Sequence, residues 1–219
     1  IKKNGRYDQA VEEFKKYRQL VPGDPRTEQQ IRACELAMEW LRDPESYTIE
    51  PVKDLNSRES DFSPAYARDD YGMIYFTSSR DDAKGNKNSA ATGQNFTDIF
   101  ESRLDKKGKW STPVPAEYLN SEFEDGTPSL SADFREIYFT RCEVGKREKK
   151  GCEIMHSVRE GISWATPEKI DLLPDSLIAA HPSISQDGLT LYFVSDMPGG
   201  YGGKDIYKVT RTNRQAEWS

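Results

Sequence analysis

The sequence predicts a mainly β protein, a β-propeller with three blades visible, preceded by an α-helical hairpin. Three observations carry this expectation. Trp110, Trp164 and Trp218 recur at a spacing of 54 residues. A strand containing an aromatic pair precedes each of them: Tyr75-Phe76, Tyr138-Phe139 or Tyr192-Phe193. Near residue 46 the apolar period also changes, from helical spacing to that of short strands.

In the first stretch, Tyr7, Ala10, Val11, Phe14, Tyr17 and Leu20 fall three and four residues apart, one face of an amphipathic helix. Pro22-Gly23-Asp24-Pro25 stops it. A second helix is expected from Thr27, as N-cap, to about Leu41, with Ile31, Cys34, Leu36, Met38 and Leu41 on its apolar face and Asp43-Pro44 at its end. Ala10, Phe14, Tyr17 and Pro22 stand where the second helix of a tetratricopeptide repeat has Ala, Phe, Ala and Pro. Residues 1–45 therefore resemble the C-terminal part of a tetratricopeptide-repeat domain. Such a repeat cannot bury its face alone, so further repeats are expected upstream.

From residue 46 to 219 each unit runs through the same four pieces. Leu55-Asn56-Ser57, Leu119-Asn120-Ser121 and Leu173-Pro174-Asp175 come first, then Ser63-Pro64, Thr127-Pro128 and His181-Pro182. The Tyr-Phe strand follows, then Asp98-Ile-Phe, Glu153-Ile-Met or Asp205-Ile-Tyr, and finally the Trp. With no helical pattern between them, the strands are expected to be antiparallel. Units of about fifty residues with about four strands each predict blades at roughly 47–111, 112–165 and 166–219. Trp110, Trp164, Trp218, Tyr75, Tyr138, Tyr192, Phe76, Phe139 and Phe193 are the expected inter-blade core. Three blades cannot close a ring, so the sequence reads as a piece of a longer chain.

Composition narrows the function. With 37 acidic and 31 basic residues and a pI near 5.2, the chain has no nucleic-acid footprint. The basic runs Lys106-Lys107-Lys109 and Lys146-Arg147-Lys149-Lys150 fall in expected loops. Residues 1–46 carry nine charges of each sign, so the remainder holds the whole net charge of -6. The longest strictly apolar run, Leu177 to Ala180, is too short to span a bilayer. The two histidines, His156 and His181, lie in no nucleophile or zinc motif, so no catalytic residue, cofactor or metal is expected. Gly199, Gly200, Gly202 and Gly203 precede a strand rather than a helix, which favours a tight hairpin over a phosphate loop. The insertion from Asp81 to Asn95 lacks the alternating acids and closing Glu of a calcium loop. It is expected to be a long rim loop.

The pattern Pro-Ser-(Leu/Ile)-Ser-x-Asp-x-x-x-(Leu/Ile)-Tyr-Phe, with Ser195-Asp-Met-Pro-Gly-Gly-Tyr-Gly-Gly-Lys-Asp-Ile-Tyr207, resembles the WD40-like PD40 propeller repeat, the kind TolB carries. Preceded by a tetratricopeptide repeat, the arrangement is similar to multidomain OmpA-family lipoproteins of the Gram-negative envelope. That resemblance implies a periplasmic, outer-membrane-associated scaffold whose partners are envelope and secretion-system proteins. It implies peptidoglycan anchoring through a C-terminal domain beyond Ser219 and a lipid anchor upstream of Ile1. Cys142 and Cys152 face each other across the expected hairpin, and in an oxidising periplasm a disulfide is expected between them. Cys34 is expected to be a buried free thiol. Asp175-Ser176-Leu177 fits a short bacterial O-glycosylation signal. The competing reading is the propeller of a prolyl-oligopeptidase-like hydrolase, whose Gly-x-Ser-x-Gly elbow would lie beyond residue 219.

Overall fold

The computed structural model describes residues 1–45, 47–84, 88–89, 92–143 and 151–219. The chain divides into two compact units, Ile1–Glu50 and Pro51–Ser219.

The first unit is an αα-hairpin of α1 (Tyr7–Leu20) and α2 (Pro25–Arg42). Asp24, not Thr27, caps α2: its carboxylate accepts from the Arg26 amide at 3.0 Å. Pro25 explains the earlier start, since its fixed φ and missing N–H suit the first helical position. Thr27 instead lies buried inside the first turn. Ala10, Val11, Ile31 and Cys34 are buried together, with Tyr7, Phe14 and Met38 packed against them. The apolar stripes are narrower than their spacing suggests. Tyr17 and Leu41 are 40% and 68% exposed, because a hairpin of two helices covers only the side of each that faces the other.

Among the described residues the second unit forms three antiparallel sheets. β1 (Asp61–Tyr66), β2 (Met73–Ser78), β3 (Asp98–Arg103) and β4 (Val114–Pro115) form the first, in that order. β5 (Glu124–Leu130), β6 (Glu136–Cys142), β7 (Cys152–Glu160) and β8 (Ser163–Trp164) form the second, with β9 (Glu168–Lys169) also paired to β7. β10 (Ala179–Ile184), β11 (Thr190–Ser195) and β12 (Asp205–Thr210) form the third. There the Ser219 backbone bonds Thr210 in both directions, in the place of a fourth strand.

Each sheet begins with the same irregularity. Register shifts at Phe62/Ala65, Gly126/Ser129 and Ala180/Ser183 mark β-bulges. Inside them Ser63, Thr127 and His181 take φ of 51°, 52° and 54°, each immediately before a proline. Left-handed backbone at a non-glycine residue is held only by strong surroundings. Two of the three have an evident one. The Thr127 amide donates to Thr77 Oγ1 of the first sheet at 2.7 Å, and the His181 amide to Thr140 Oγ1 of the second at 2.8 Å. The bulge thus turns an amide out of its own ladder and toward the preceding sheet. Gly126 makes room for this, since a Cβ there would sit 2.6 Å from Thr77 Cγ2.

Side chains alternate across the strands, so each sheet offers a Tyr face and a Phe face. Met73, Tyr75 and Ile99 of the first sheet pack with Ile137, Phe139, Met155 and Trp164 of the second. Tyr138 and Ile154 pack with Leu191, Phe193, Tyr207 and Trp218 of the third. Trp164 and Trp218 therefore each lie against the Tyr of the preceding sheet: Trp164 Nε1 donates to Tyr75 Oη at 2.9 Å, and the Trp218 ring lies 6.3 Å from Tyr138. Tyr192 departs from the expected core. It is 44% exposed, because it points off the face of the third sheet that no described element covers.

Thr140 serves two partners, the His181 amide and the Thr127 hydroxyl at 2.7 Å. Thr140→Val keeps the shape but leaves both without this partner, so it is expected to cost about 1–3 kcal/mol in urea unfolding. Thr140→Ser is expected to retain most of the stability.

Candidate functional site

The most strongly held polar groups lie where the linkers enter the sheets. Asp61 accepts from the Ser57 amide and hydroxyl, the Ser78 hydroxyl and Arg80 Nη2, at 2.5–2.7 Å. Asp125 repeats the arrangement with the Ser121 amide and hydroxyl and Arg141 Nε, at 2.6–2.7 Å. Each guanidinium also donates to a linker carbonyl, Leu55 in one case and Leu119 in the other. Burial pushes the Asp61 carboxyl up, but its donors outweigh that and hold it low. Burial of the fully enclosed Asp125 wins over Arg141 and Ser121 and raises its carboxyl. These carboxylates are saturated with donors, and their chemistry is clamping.

Asp98 is different. It is fully buried, its Oδ2 accepts from the Lys84 amide, and its Oδ1 has no partner among the described residues. Burial pushes its carboxyl up to about 7, against the pull of the Lys84 amide and reinforced by the charge of Asp125. Glu136 shows the opposite balance. Burial raises it, but His156, Tyr138 and Arg211 together hold it at about 2.

The two histidines stand apart. His156 stacks on Tyr138 with ring centroids 4.7 Å apart, and His181 occupies the third bulge with its side chain exposed. Among the described residues no three His, Cys, Asp or Glu side chains are grouped to hold a metal. No described helix is long and apolar enough to cross a membrane. The glycine cluster forms the β11–β12 hairpin, where the Gly202 amide donates to Asp205 Oδ2 at 2.9 Å. Gly199 sits at φ 101°, and a Cβ on Gly200 would lie 2.0 Å from the same carboxylate oxygen.

Cys142 and Cys152 are register partners in β6 and β7 and are joined as a disulfide, while Cys34 is a buried free thiol. The loop between them holds Lys146, Arg147, Lys149 and Lys150, which lie outside the described residues. So do residues 85–87 and 90–91 of the Asp81–Asn95 insertion, the expected rim loop. The far part of that insertion is tied to the first sheet, with Gln94 Oε1 accepting from Ser60 and Ser79 at 2.8 Å. Ser176 is exposed.

Trp110 lies half-buried on the outer face of the first sheet, beside Leu55, Ile74, Phe76 and Phe100. Next to it runs an apolar groove of about 330 Å³, lined by Val52, Leu55, Phe62, Tyr66, Ile74 and Phe76. Sequence reading missed the Asp61 and Asp125 clamps. The signal was present as Leu-Asn-Ser followed four residues after the Ser by Asp, twice.

No protein-family model and no curated protein matches the chain. Among solved structures it is similar to a puromycin-hydrolyzing peptidase of Mycobacterium tuberculosis (15% identity, TM-score 0.46, covering 73% of this chain and 22% of that one). It is similar also to TolB from Acinetobacter baumannii (21%, 0.42, 75% and 33%) and to the Trypanosoma rangeli sialidase (12%, 0.41, 74% and 30%). The chain thus spans no more than about a third of any of these proteins. At these TM-scores the likenesses decide nothing about activity.

Two outcomes follow from the site. Alkylation of the unfolded, unreduced protein is expected to modify Cys34 alone, and all three cysteines after reduction, read by intact mass. For Asp98 the folded carboxyl titrates near 7 and the unfolded one near 4, so the folded state binds the extra proton between them. Its contribution to stability is greatest below pH 4, falls as pH rises to 7 and is level above. Asp98→Asn is therefore expected to gain stability relative to the parent across that window, at up to about 1.4 kcal/mol per pH unit, in urea unfolding at pH 5 and pH 8.

Proposed function

We propose that the second unit is part of a β-propeller, and that the chain is a non-catalytic protein-interaction scaffold of a Gram-negative envelope complex. The observation that carries this is the repeated sheet-on-sheet geometry. The Trp and bulge amide of one sheet engage the Tyr and Thr of the sheet before it, at both interfaces. Propeller blades are small twisted sheets covered by their neighbours in this way. The resemblance of the repeats to PD40 blades, behind a tetratricopeptide-like hairpin, supports the narrower reading. On it, the parent is a periplasmic lipoprotein like PorE of the type IX secretion system. Its partners would be secretion-system proteins, and peptidoglycan would be held by an OmpA-like domain not contained here.

The charged groups support a scaffold. Asp61, Asp125 and Glu136 are all engaged in ion pairs that hold linkers or neighbouring sheets. The exposed surfaces suit protein partners: the apolar groove with Phe62 and Tyr66 at its rim, and the β11–β12 hairpin with Tyr201 fully exposed at its tip.

A photo-crosslinking residue at Tyr66 or at Tyr201 of the full-length protein, expressed in its own host, tests this reading. Covalent adducts with envelope proteins at either position are expected. Absence of adducts at both, together with peptide hydrolysis by the purified full-length protein, would replace the scaffold with the hydrolase reading.

A further inference from the structure

The open face of the first sheet matches one half of an interface that the chain makes twice elsewhere. Ile74 and Phe76 stand in register where Ile137 and Phe139, then Leu191 and Phe193, stand in the next two sheets. Those pairs are covered by a tyrosine and an isoleucine of the sheet before, Tyr75 with Ile99 and Tyr138 with Ile154. Over Ile74 and Phe76 runs instead the apolar groove of about 330 Å³.

The segment leading into the first sheet repeats a second part of the same interface. After β4, the Ala116 amide donates to the Ile99 carbonyl at 2.9 Å, and the Leu119 and Asn120 amides turn back to the Ala116 carbonyl at 2.9 and 3.2 Å. Asn120 then brackets Ile99 of β3: Oδ1 accepts from the Ile99 amide and Nδ2 donates to the Ile99 carbonyl, both at 2.9 Å. Pro51-Val52 and Leu55-Asn56 carry the same spacing as Pro115-Ala116 and Leu119-Asn120. They also form the same turn, with the Leu55 and Asn56 amides donating to the Val52 carbonyl at 2.9 and 3.0 Å. Yet the Val52 amide and the Asn56 side chain have no hydrogen-bond partner among the described residues, and Asn56 lines the groove, exposed.

A strand-pairing amide, a carboxamide clamp and an apolar face beside them fit one occupant together. We infer that they receive a further sheet of the same protein, with residues 51 and 52 in its fourth strand, Asn56 bracketing its third strand and a tyrosine in the groove. The inference rests on the propeller reading of the second unit, and its warrant is the same interface made twice in succession within the chain. The remaining strands of that sheet come from a distant part of the protein, because α1 and α2 precede residue 51 where three strands precede β4. The third sheet is not that sheet. Its Val194 offers the Ser63 amide no hydroxyl, and Ser219 already pairs with Thr210 as Ser111 and Ala165 pair with Arg103 and Val158. Phe62 stands in register where Gly126 and Ala180 stand, so the residue it meets is smaller than threonine or valine. Leu104 stands where Arg159 and Arg211 lie over Trp164 and Trp218 at 4.4 and 4.5 Å, so no acid is required in the place of Glu136. The groove is then filled from within the protein, which leaves the β11–β12 hairpin around Tyr201 as the surface for a partner.

Photo-crosslinking residues placed singly at Tyr66 and at Tyr192 of the full-length protein test this, with adducts mapped to peptides by mass spectrometry. The Tyr66 probe is expected to join a peptide of the same molecule that lies outside residues 1–219. The Tyr192 probe, on the open face of the third sheet, checks the propeller reading separately. An intramolecular adduct at Tyr192 with none at Tyr66, or a Tyr66 adduct confined to another protein or a second copy, overturns the inference and leaves the propeller standing. No intramolecular adduct at either position overturns both. Hydrogen exchange reads the strand itself: the Val52 amide is expected to exchange slowly in the full-length protein, and about tenfold faster in Asn56→Ala. Fast exchange at Val52 in the parent protein overturns the strand assignment even where Tyr66 is cross-linked.

Discussion

Neither face of β6 is left to water, and the rest of the second unit is arranged around that fact. Ile137 and Phe139 point to one side and Tyr138 to the other, all fully buried. A sheet of a few short strands cannot be stable with two apolar faces exposed. It has to be covered twice, by the Tyr face of the sheet before and the Phe face of the sheet after. At roughly 25 cal/mol per Å² of apolar surface, the side chains in these two layers supply the main drive for stacking. Chain composition follows from the same constraint: aromatics in pairs on alternate faces do the work of a larger aliphatic core.

Apolar burial does not set the register of one sheet upon the next, because it is indifferent to small slides. The polar contacts do that. At both interfaces a left-handed residue before a proline, Thr127 or His181, turns its amide outward, and the hydroxyl of a threonine on the preceding sheet receives it. Meeting relieves the desolvation of both groups, so the contact fixes position more than it adds stability. The aspartate clamps act at the next level. They hold the Leu-Asn-Ser linkers to their sheets by saturating one buried carboxylate with backbone, hydroxyl and guanidinium donors.

Much of this was legible in the sequence, and the limits have physical causes. The Trp spacing, the Tyr-Phe strands and the switch from helical to strand period are local patterns, and the three sheets lie where those patterns place them. The clamps were harder to see because Arg80 and Arg141 stand at different offsets from their strands, two residues apart in the repeat. Long side chains reach one carboxylate from either position, so sequence alignment alone does not pair them. The left-handed bulge is illegible for a different reason. A residue before proline is ordinarily extended, and the exceptions at Thr127 and His181 meet a threonine hydroxyl of the neighbouring sheet, a contact far away in sequence. Tyr192 was read as core because its sequence context matches Tyr75 and Tyr138. Its burial, however, belongs to whatever lies on the face beyond it and not to its own strand.

Stacked repeats depend on nearest-neighbour contacts, so a change at one interface is felt there and little elsewhere. This is why the departures from the repeat are informative. Val194 stands where Thr77 and Thr140 stand, and the third sheet accordingly offers no hydroxyl to an incoming bulge amide. Met73 stands where Glu136 stands, and the first interface keeps its arginine and tryptophan without the carboxylate that completes the second. Met73 packs in the apolar layer with Tyr75 and Trp164, so the first interface has apolar contact where the second has a buried ion pair, and one guanidinium nitrogen is left unpaired among the described residues. Arg159 is nonetheless held by its stacking on Trp164 and by the Phe134 carbonyl, so that one nitrogen goes unpaired while the rest of the side chain keeps its place at the interface.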